Sequence, residues 1–412
     1  MGINLARTRT FSAFRHANFR RYWWGAVVSM VGTWVQGTAL TFFVWELTHS
    51  PLATSLPTFF FGVPTMVLSL FGGVLADRVD RRRLLITTQA LFAIQAAVLA
   101  GLTWFHLVRV WHIYLLSFVN GVTMAADSPA RQSLVPRLVA REDLTNAIAL
   151  NALVVNGSRI VGPPIGGLIY AAAGPAAAFL ANAVSYLAVI YPLAMMRLQP
   201  RQEEGPRPGL WADLREGLVY VWSQPIVRTL LLLVAMMGSF AFSYLVLMPV
   251  MTTTVLGGGA KENGYLLGSV GVGATSGALL VAAVGAGDRP GQRILTLGAV
   301  AGAALLAFSL SRTVVLSGVV LFIVGMALIG FLSTANATIQ NLVPDALRGR
   351  VMSVYALALI GSGPLNSLLA GVLGNYLGAP RAIAVSALLI LLPVAVLALR
   401  ARALLSFAPQ AE

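Results

Sequence analysis

Apolar residues along this chain fall in long runs separated by short polar segments, with neither strict alternation nor a single helical stripe. A run needs roughly 20 apolar residues to carry a helix across the hydrocarbon core of a bilayer. Twelve runs approach that length: 22–45, 52–76, 84–105, 110–129, 145–172, 175–196, 226–250, 264–286, 293–311, 313–336, 351–376 and 380–399. Two joints are very short, and the cuts there rest on Gly174-Pro175 and on Arg312. The pattern predicts an all-α membrane protein of twelve transmembrane helices.

Composition agrees, since 58% of the 412 residues are hydrophobic and 10% are charged, against about 25% charged in a soluble domain. The charges then give the runs a direction. Of 28 Lys and Arg, 23 fall before the first run or in or at the edges of every second loop, four (Arg109, Lys261, Arg312, Arg381) fall in or at the edges of the others, and Arg159 alone lies well inside a run. A single missed or spurious span would reverse that alternation. Basic residues concentrate on the cytoplasmic side of membrane proteins, so both termini are expected in the cytoplasm; arginine in place of lysine, with abundant Ala and Gly, points to a bacterial source and its inner membrane. The net charge of +14 belongs to these loops and not to one basic folded face, which argues against nucleic acid.

Several chemistries drop out. Cysteine is absent, and the four histidines sit near the ends of apolar runs without ligand spacing. No metal, cofactor or catalytic centre is expected, and no phosphate-binding loop of the Walker type occurs, so the chain does not itself use ATP. The leader MGINLARTRTFSAFRHANFRRYW is too long and too arginine-rich for a signal peptide. It is expected to be a cytoplasmic lead-in to the first span.

After the sixth run comes RLQPRQEEGPRPG, then GLWADLREGLVYVWSQ, in which Leu210, Trp211, Leu214, Leu218, Val221 and Trp222 recur at helical spacing. This predicts an amphipathic helix lying on the membrane surface and tethering two halves. The expected domains are 1–197, an N-terminal six-helix bundle; 198–225, a cytoplasmic linker with that helix; and 226–412, a C-terminal six-helix bundle. Local repeats support two pseudo-symmetric bundles. Gln132-Ser-Leu-Val-Pro136 returns 208 positions later as Gln340-Asn-Leu-Val-Pro344, and Arg20 and Arg228 have the same offset. Asp77-Arg78 is answered by Asp288-Arg289, and Gly162-Pro163 by Gly363-Pro364.

Parallel repeats with a site between them are the plan of one large transporter group. The loop Gly73-Val-Leu-Ala-Asp77-Arg78-Val-Asp-Arg81-Arg82-Arg83 resembles the G-x-x-x-D-R-x-G-R-R loop of the major facilitator superfamily, with Asp80 where that pattern has its second glycine. Asp127-Ser-Pro-Ala-Arg-Gln132 and Leu347-Arg-Gly-Arg-Val351 are similar to the branch containing enterobactin and macrolide exporters. The resemblance implies the major facilitator fold, alternating access, and a latch of Gly73, Asp77, Arg78, Arg81 and Asp127 closing against span eleven. Physically, Gly73 permits close helix approach, Asp77 suits a helix N-terminus, and Arg81 is expected to pair with Asp127. The competing account is an ordinary basic loop that serves topology alone. Gly287-Asp288-Arg289-Pro290-Gly291 is a decayed copy of this loop.

Span five contains Gly157-Ser158-Arg159-Ile-Val-Gly162-Pro163-Pro164-Ile-Gly166-Gly167, which resembles the G-P-x-x-G-G motif of antiporters. Pro163 and Pro164 are expected to bend the helix, and Gly162, Gly166 and Gly167 to pack against the opposite half, sealing or pivoting; plain helix packing is the alternative. A buried guanidinium is costly inside a membrane. Arg159 either attracts an anionic substrate or a proton-trading carboxylate, or is satisfied by Asp127 or by carbonyls freed at the prolines. A polar stripe in span one (Ser29, Thr33, Gln36, with Trp34 beside it) and Asn366 in span eleven are expected to line the central cavity. Glu46 and Asp127 are the candidate proton carriers. The implied function is proton-coupled efflux of a hydrophobic or amphipathic small molecule, a drug or siderophore-like metabolite, by a monomer. Uptake or facilitated transport of a metabolite or lysolipid fits the same topology.

Overall fold

The computed structural model describes residues 9–196, 210–284 and 289–400, without the side chains of residues 9–10, 70–78, 210–214, 360 and 400. Every regular element among the described residues is helical. Helices α1 (Ala17–Thr48), α2 (Pro51–Arg78), α3 (Arg81–Trp104) and α4 (Val110–Leu134) each make one crossing. Helix α5 (Leu144–Ser185) makes two, because the chain turns at Gly174, where φ is 79° and ψ is 177°. Its last part and α6 (Leu187–Met195) together form the sixth span. Only glycine adopts that backbone conformation without strain, and Pro175 is suited to restart a helix. Gly174→Ala should therefore cost about 1–3 kcal/mol, read as a lower melting temperature of the purified protein.

The second half opens with the amphipathic helix α7 (Leu210–Ser223). Helices α8 (Pro225–Phe240) and α9 (Ser243–Val250), extended by a wide turn at Met251–Val255, form the seventh span. Three uninterrupted spans follow, α10 (Ala260–Val284), α11 (Pro290–Leu310) and α12 (Val314–Leu342). The eleventh is broken into α13 (Asp345–Ile360) and α14 (Gly363–Leu377), and α15 (Ala379–Arg400) is the twelfth. Ten stretches among the described residues are long and apolar enough to cross a membrane, one of them the 55-residue stretch Arg141–Met195. That stretch supplies two crossings, and α4, with its polar C-terminal end, completes twelve.

Helices outrun the apolar runs at the charged ends. Span eleven begins at Asp345, where Asp345 and Arg348 pair at 2.5 Å, well before the apolar onset at 351. Charged turns carry the helix beyond its apolar run, a stretch that hydropathy does not register.

Two compact units emerge: residues 1–47 with 60–203, and residues 48–59 with 204–412. The first turns of α2 thus group with the second unit, where Ser55 fills the space beside Gly371 and Pro51 lies against Gly374. Within the first unit, a methyl on Gly25 or Gly32 of α1 would strike Ala188 or Ser185, and one on Gly121 would strike the Phe61 carbonyl. In the second, Gly273, Gly277 and Gly325 bring α10 and α12 together in the same way. Small residues let backbones approach where no hydrophobic force drives helices together.

The repeat extends to hydrogen bonds. The Arg20 guanidinium donates to the Phe14 carbonyl at 3.1 Å, and Arg228 donates to the Trp222 carbonyl at 3.5 Å. The backbone N–H groups of the same arginines reach the carbonyls of His16 and Gln224 at 3.0 and 2.9 Å. All three pairs of positions differ by 208, so α7 is the counterpart of the N-terminal lead-in. Each lead-in also docks on the span-five equivalent of its half. Ala13 N–H donates to Asn146 at 3.0 Å, and Glu216 accepts from Arg350 at 2.5 Å.

Candidate functional site

The antiporter-like segment lies in the middle of α5. Pro163 and Pro164 remove two backbone donors from the ladder, yet the chain stays helical through both, and the only non-helical residue inside α5 is Gly174. Gly162, Pro163, Gly166 and Gly167 are buried. A methyl on Gly162 would overlap Trp34, and one on Gly166 would sit 2.9 Å from the Val35 carbonyl. These two glycines therefore face α1 of their own unit, where the sequence suggested the opposite half. The reason is local: α1 and α5 are neighbours within one bundle, and a bulky Trp34 needs an absent side chain opposite it.

Arg159 stands one turn before that contact, half-buried, with its guanidinium carbon 5.4 Å from the centre of the Trp34 ring. Among the described residues it pairs with no carboxylate. Asp127 does not satisfy it. The stacked indole is thus the visible partner of a charge placed deep in a span.

Asp127 is 2% exposed and surrounded by donors. Thr88 Oγ1 and Gln89 Nε2 of α3 reach one oxygen at 2.7 and 2.8 Å, and Arg131 grips the other at 3.1 and 3.2 Å. This corrects the expected Arg81–Asp127 pair: Arg131, one turn along the same helix, occupies that place, and Arg81 Nη1 lies 3.5 Å from the Ser133 carbonyl. Asp80 explains its own departure from the family loop. It caps α3 by accepting from the Arg83 N–H at 2.8 Å, work that glycine cannot do. Gly73, Asp77 and Arg78 lie on the last turns of α2, with side chains outside the described residues, as are Gly287 and Asp288 of the second copy.

The polar stripe of span one divides. Gln36, 5% exposed, turns into its own bundle, donating to Gln95 at 3.2 Å and accepting from Asn182 at 2.8 Å. Thr33 bonds Tyr186 at 3.3 Å, and Ser29 is buried. Gln36 therefore serves the interior of the first bundle rather than a cavity wall, while Asn366 is buried in α14. Trp34 alone of the set lies beside Arg159. At the C-terminal end of α1, exposed Glu46 accepts from the Tyr170 hydroxyl, whose ring packs edge-on against Phe42.

Sequence reasoning did not single out Thr88, Gln89, Gln95, Arg131 or Asn182. A signal was present: Thr88 and Gln95 are seven residues apart in an apolar span, hence on one helix face. No group of three His, Asp or Glu among the described residues is placed to hold a metal ion.

Comparison with known proteins agrees with this architecture. The family model described as transmembrane secretion effector matches residues 8–407. A staphyloferrin A transporter of Staphylococcus aureus is 27% identical over 85% of this chain and 88% of its own length. The enterobactin exporter EntS of Escherichia coli O1:K1 is 28% identical over 90% of this chain and 88% of its own. Among solved structures, a bacterial homologue of the human lysosomal transporter Spinster superposes with a TM-score of 0.73 at 14% identity, covering 95% of this chain and 99% of that one. A bacterial homologue of the iron transporter ferroportin gives 0.69 at 18%, covering 92% and 97%.

Proposed function

Because the chain belongs to the transmembrane secretion effectors of the major facilitator superfamily, and so is a multi-pass membrane transporter and not an enzyme, we propose that it exports an amphipathic, anionic, siderophore-like small molecule by alternating access coupled to proton antiport. Arg159 supports this reading most directly. A guanidinium inside a span is expensive unless it meets a partner or a cavity. Stacking on an indole offsets about 0.5–2 kcal/mol, and with no carboxylate partner among the described residues the charge is left to an acidic ligand. Trp34 then offers an aromatic plate for the ligand's apolar part. The names of the two curated relatives, both siderophore transporters, point to the same substrate class.

For coupling, Glu46 is the better carrier of the two acidic candidates. It is exposed and holds one hydroxyl partner, whereas Asp127 is enclosed by four donor contacts. The orientation proposed is both termini cytoplasmic, in the inner membrane of a bacterium, with the segment Gly73, Asp77, Arg78 and Arg81 acting as latch.

Everted membrane vesicles with an imposed pH gradient test this. An anionic amphipathic dye should accumulate inside and be released by an uncoupler. Accumulation indifferent to the gradient would remove proton antiport, and movement only in the opposite direction would favour uptake.

A further inference from the structure

At the end of the first unit where α1 begins and α6 stops, the two helices border a groove of about 670 Å³. Its lining is graded. Arg20 and Arg21 stand at the mouth, Trp24 and Tyr191 lie one turn deeper, and Val28 and Ala188 lie below them. Arg20 to Val28 spans eight residues, roughly 12 Å along the helix axis. This matches the depth over which a bilayer changes from headgroup to acyl chain. The aromatic pair is not core: Trp24 is 58% and Tyr191 66% exposed. Amphipathic rings of this kind favour the membrane–water interface. Gly25 closes the floor, since α1 there meets the Ala188 carbonyl with no side chain between.

The charges at the mouth are available. Arg20 spends one donor on the Phe14 carbonyl, and neither Arg20 nor Arg21 pairs with a carboxylate among the described residues. The end of α6, where a helix is electronegative, is neutralised by Arg82, which donates to the carbonyls of Leu193 and Ala194. An anion at the mouth therefore meets cations and no exposed helix end. The second repeat does not reproduce the arrangement. At the same offset of 208, Arg21 becomes Thr229 and Trp24 becomes Leu232, so the feature is not a by-product of duplication.

We propose that this groove seats one acidic glycerophospholipid, with its phosphate between Arg20 and Arg21 and an acyl chain along Val28 and Ala188 between the two rings. Basic pockets beside spans bind acidic headgroups in this manner, and the graded lining selects a lipid over a free anion.

The test is native mass spectrometry of the purified full-length protein, titrated with phosphatidylglycerol or phosphatidylcholine of equal chain length. The unaltered protein should retain phosphatidylglycerol about tenfold better, and Arg20→Gln/Arg21→Gln should abolish that preference. Val28→Trp keeps both arginines, fills the groove from an exposed position, and should lose the lipid equally. Arg312→Gln, outside the groove, should change nothing. Preference kept by either the double variant or Val28→Trp overturns the proposal, as does displacement of the lipid by inorganic phosphate at equal concentration.

Discussion

Arg159→Ala is expected to lower the initial rate of dye efflux from vesicles by about 100-fold, equivalent to roughly 3 kcal/mol of lost ligand interaction. The protein should still insert and melt normally, because the guanidinium is half-buried and meets a ring and no carboxylate. Arg159→Lys keeps the charge but not the planar fork that stacks on an indole, so about a tenfold loss is expected. Trp34→Ala should weaken an aromatic anionic dye more than an aliphatic one. Efflux unchanged in Arg159→Ala, at equal protein level, would assign the residue to structure. The variant also separates substrate binding from coupling, since the pH-gradient dependence of the residual transport should persist.

Asp127→Ala is expected to produce the largest loss of stability, about 3 kcal/mol, because it strands the largely enclosed Arg131. Thr88 and Gln89 lose their acceptor in the same step. The double variant Asp127→Ala/Arg131→Ala should recover much of the loss, because the stranded charge goes with its partner. Melting curves of the four proteins close the cycle. If the double variant is as unstable as the two single losses added together, the pair is not coupled. Asp127→Asn gives a second view, since it keeps the shape and loses the charge. Should that variant fold well and transport without regard to the pH gradient, Asp127 would displace Glu46 as the proton carrier.

Sequence patterns carried the spans and their breaks well, because a bilayer punishes any polar backbone it cannot satisfy. Gly174-Pro175 and Arg312 were legible as joints for that reason, and the helices do break at the first and part between Leu310 and Val314 at the second. Direction was harder. Ser29, Thr33 and Gln36 share a face of α1, and such a face must avoid lipid. A bundle interior avoids lipid as completely as a cavity does, and periodicity does not distinguish the two; Gln36 proved to face Gln95 and Asn182. Arg131 was hidden by its position. The positive-inside rule counts it as loop charge, although it closes on a carboxylate one turn back within α4. Asp80 was readable in principle, since an aspartate just before a helix is a capping signal, although the family loop has a glycine at that place.

The paired clasps at Arg20 and Arg228 bear on ancestry and on dissection. Their 208-residue spacing includes the juxtamembrane segments, so the piece that was copied began before the membrane did. Helix α7 is then a inherited first element of the second copy rather than a connector added to join two finished halves. A half-transporter begun at residue 225 would lack the Trp222 carbonyl that Arg228 holds and the Glu216 that Arg350 holds. A half-transporter begun ahead of α7, with Leu210–Ser223 kept, should retain both contacts and be the more stable of the two.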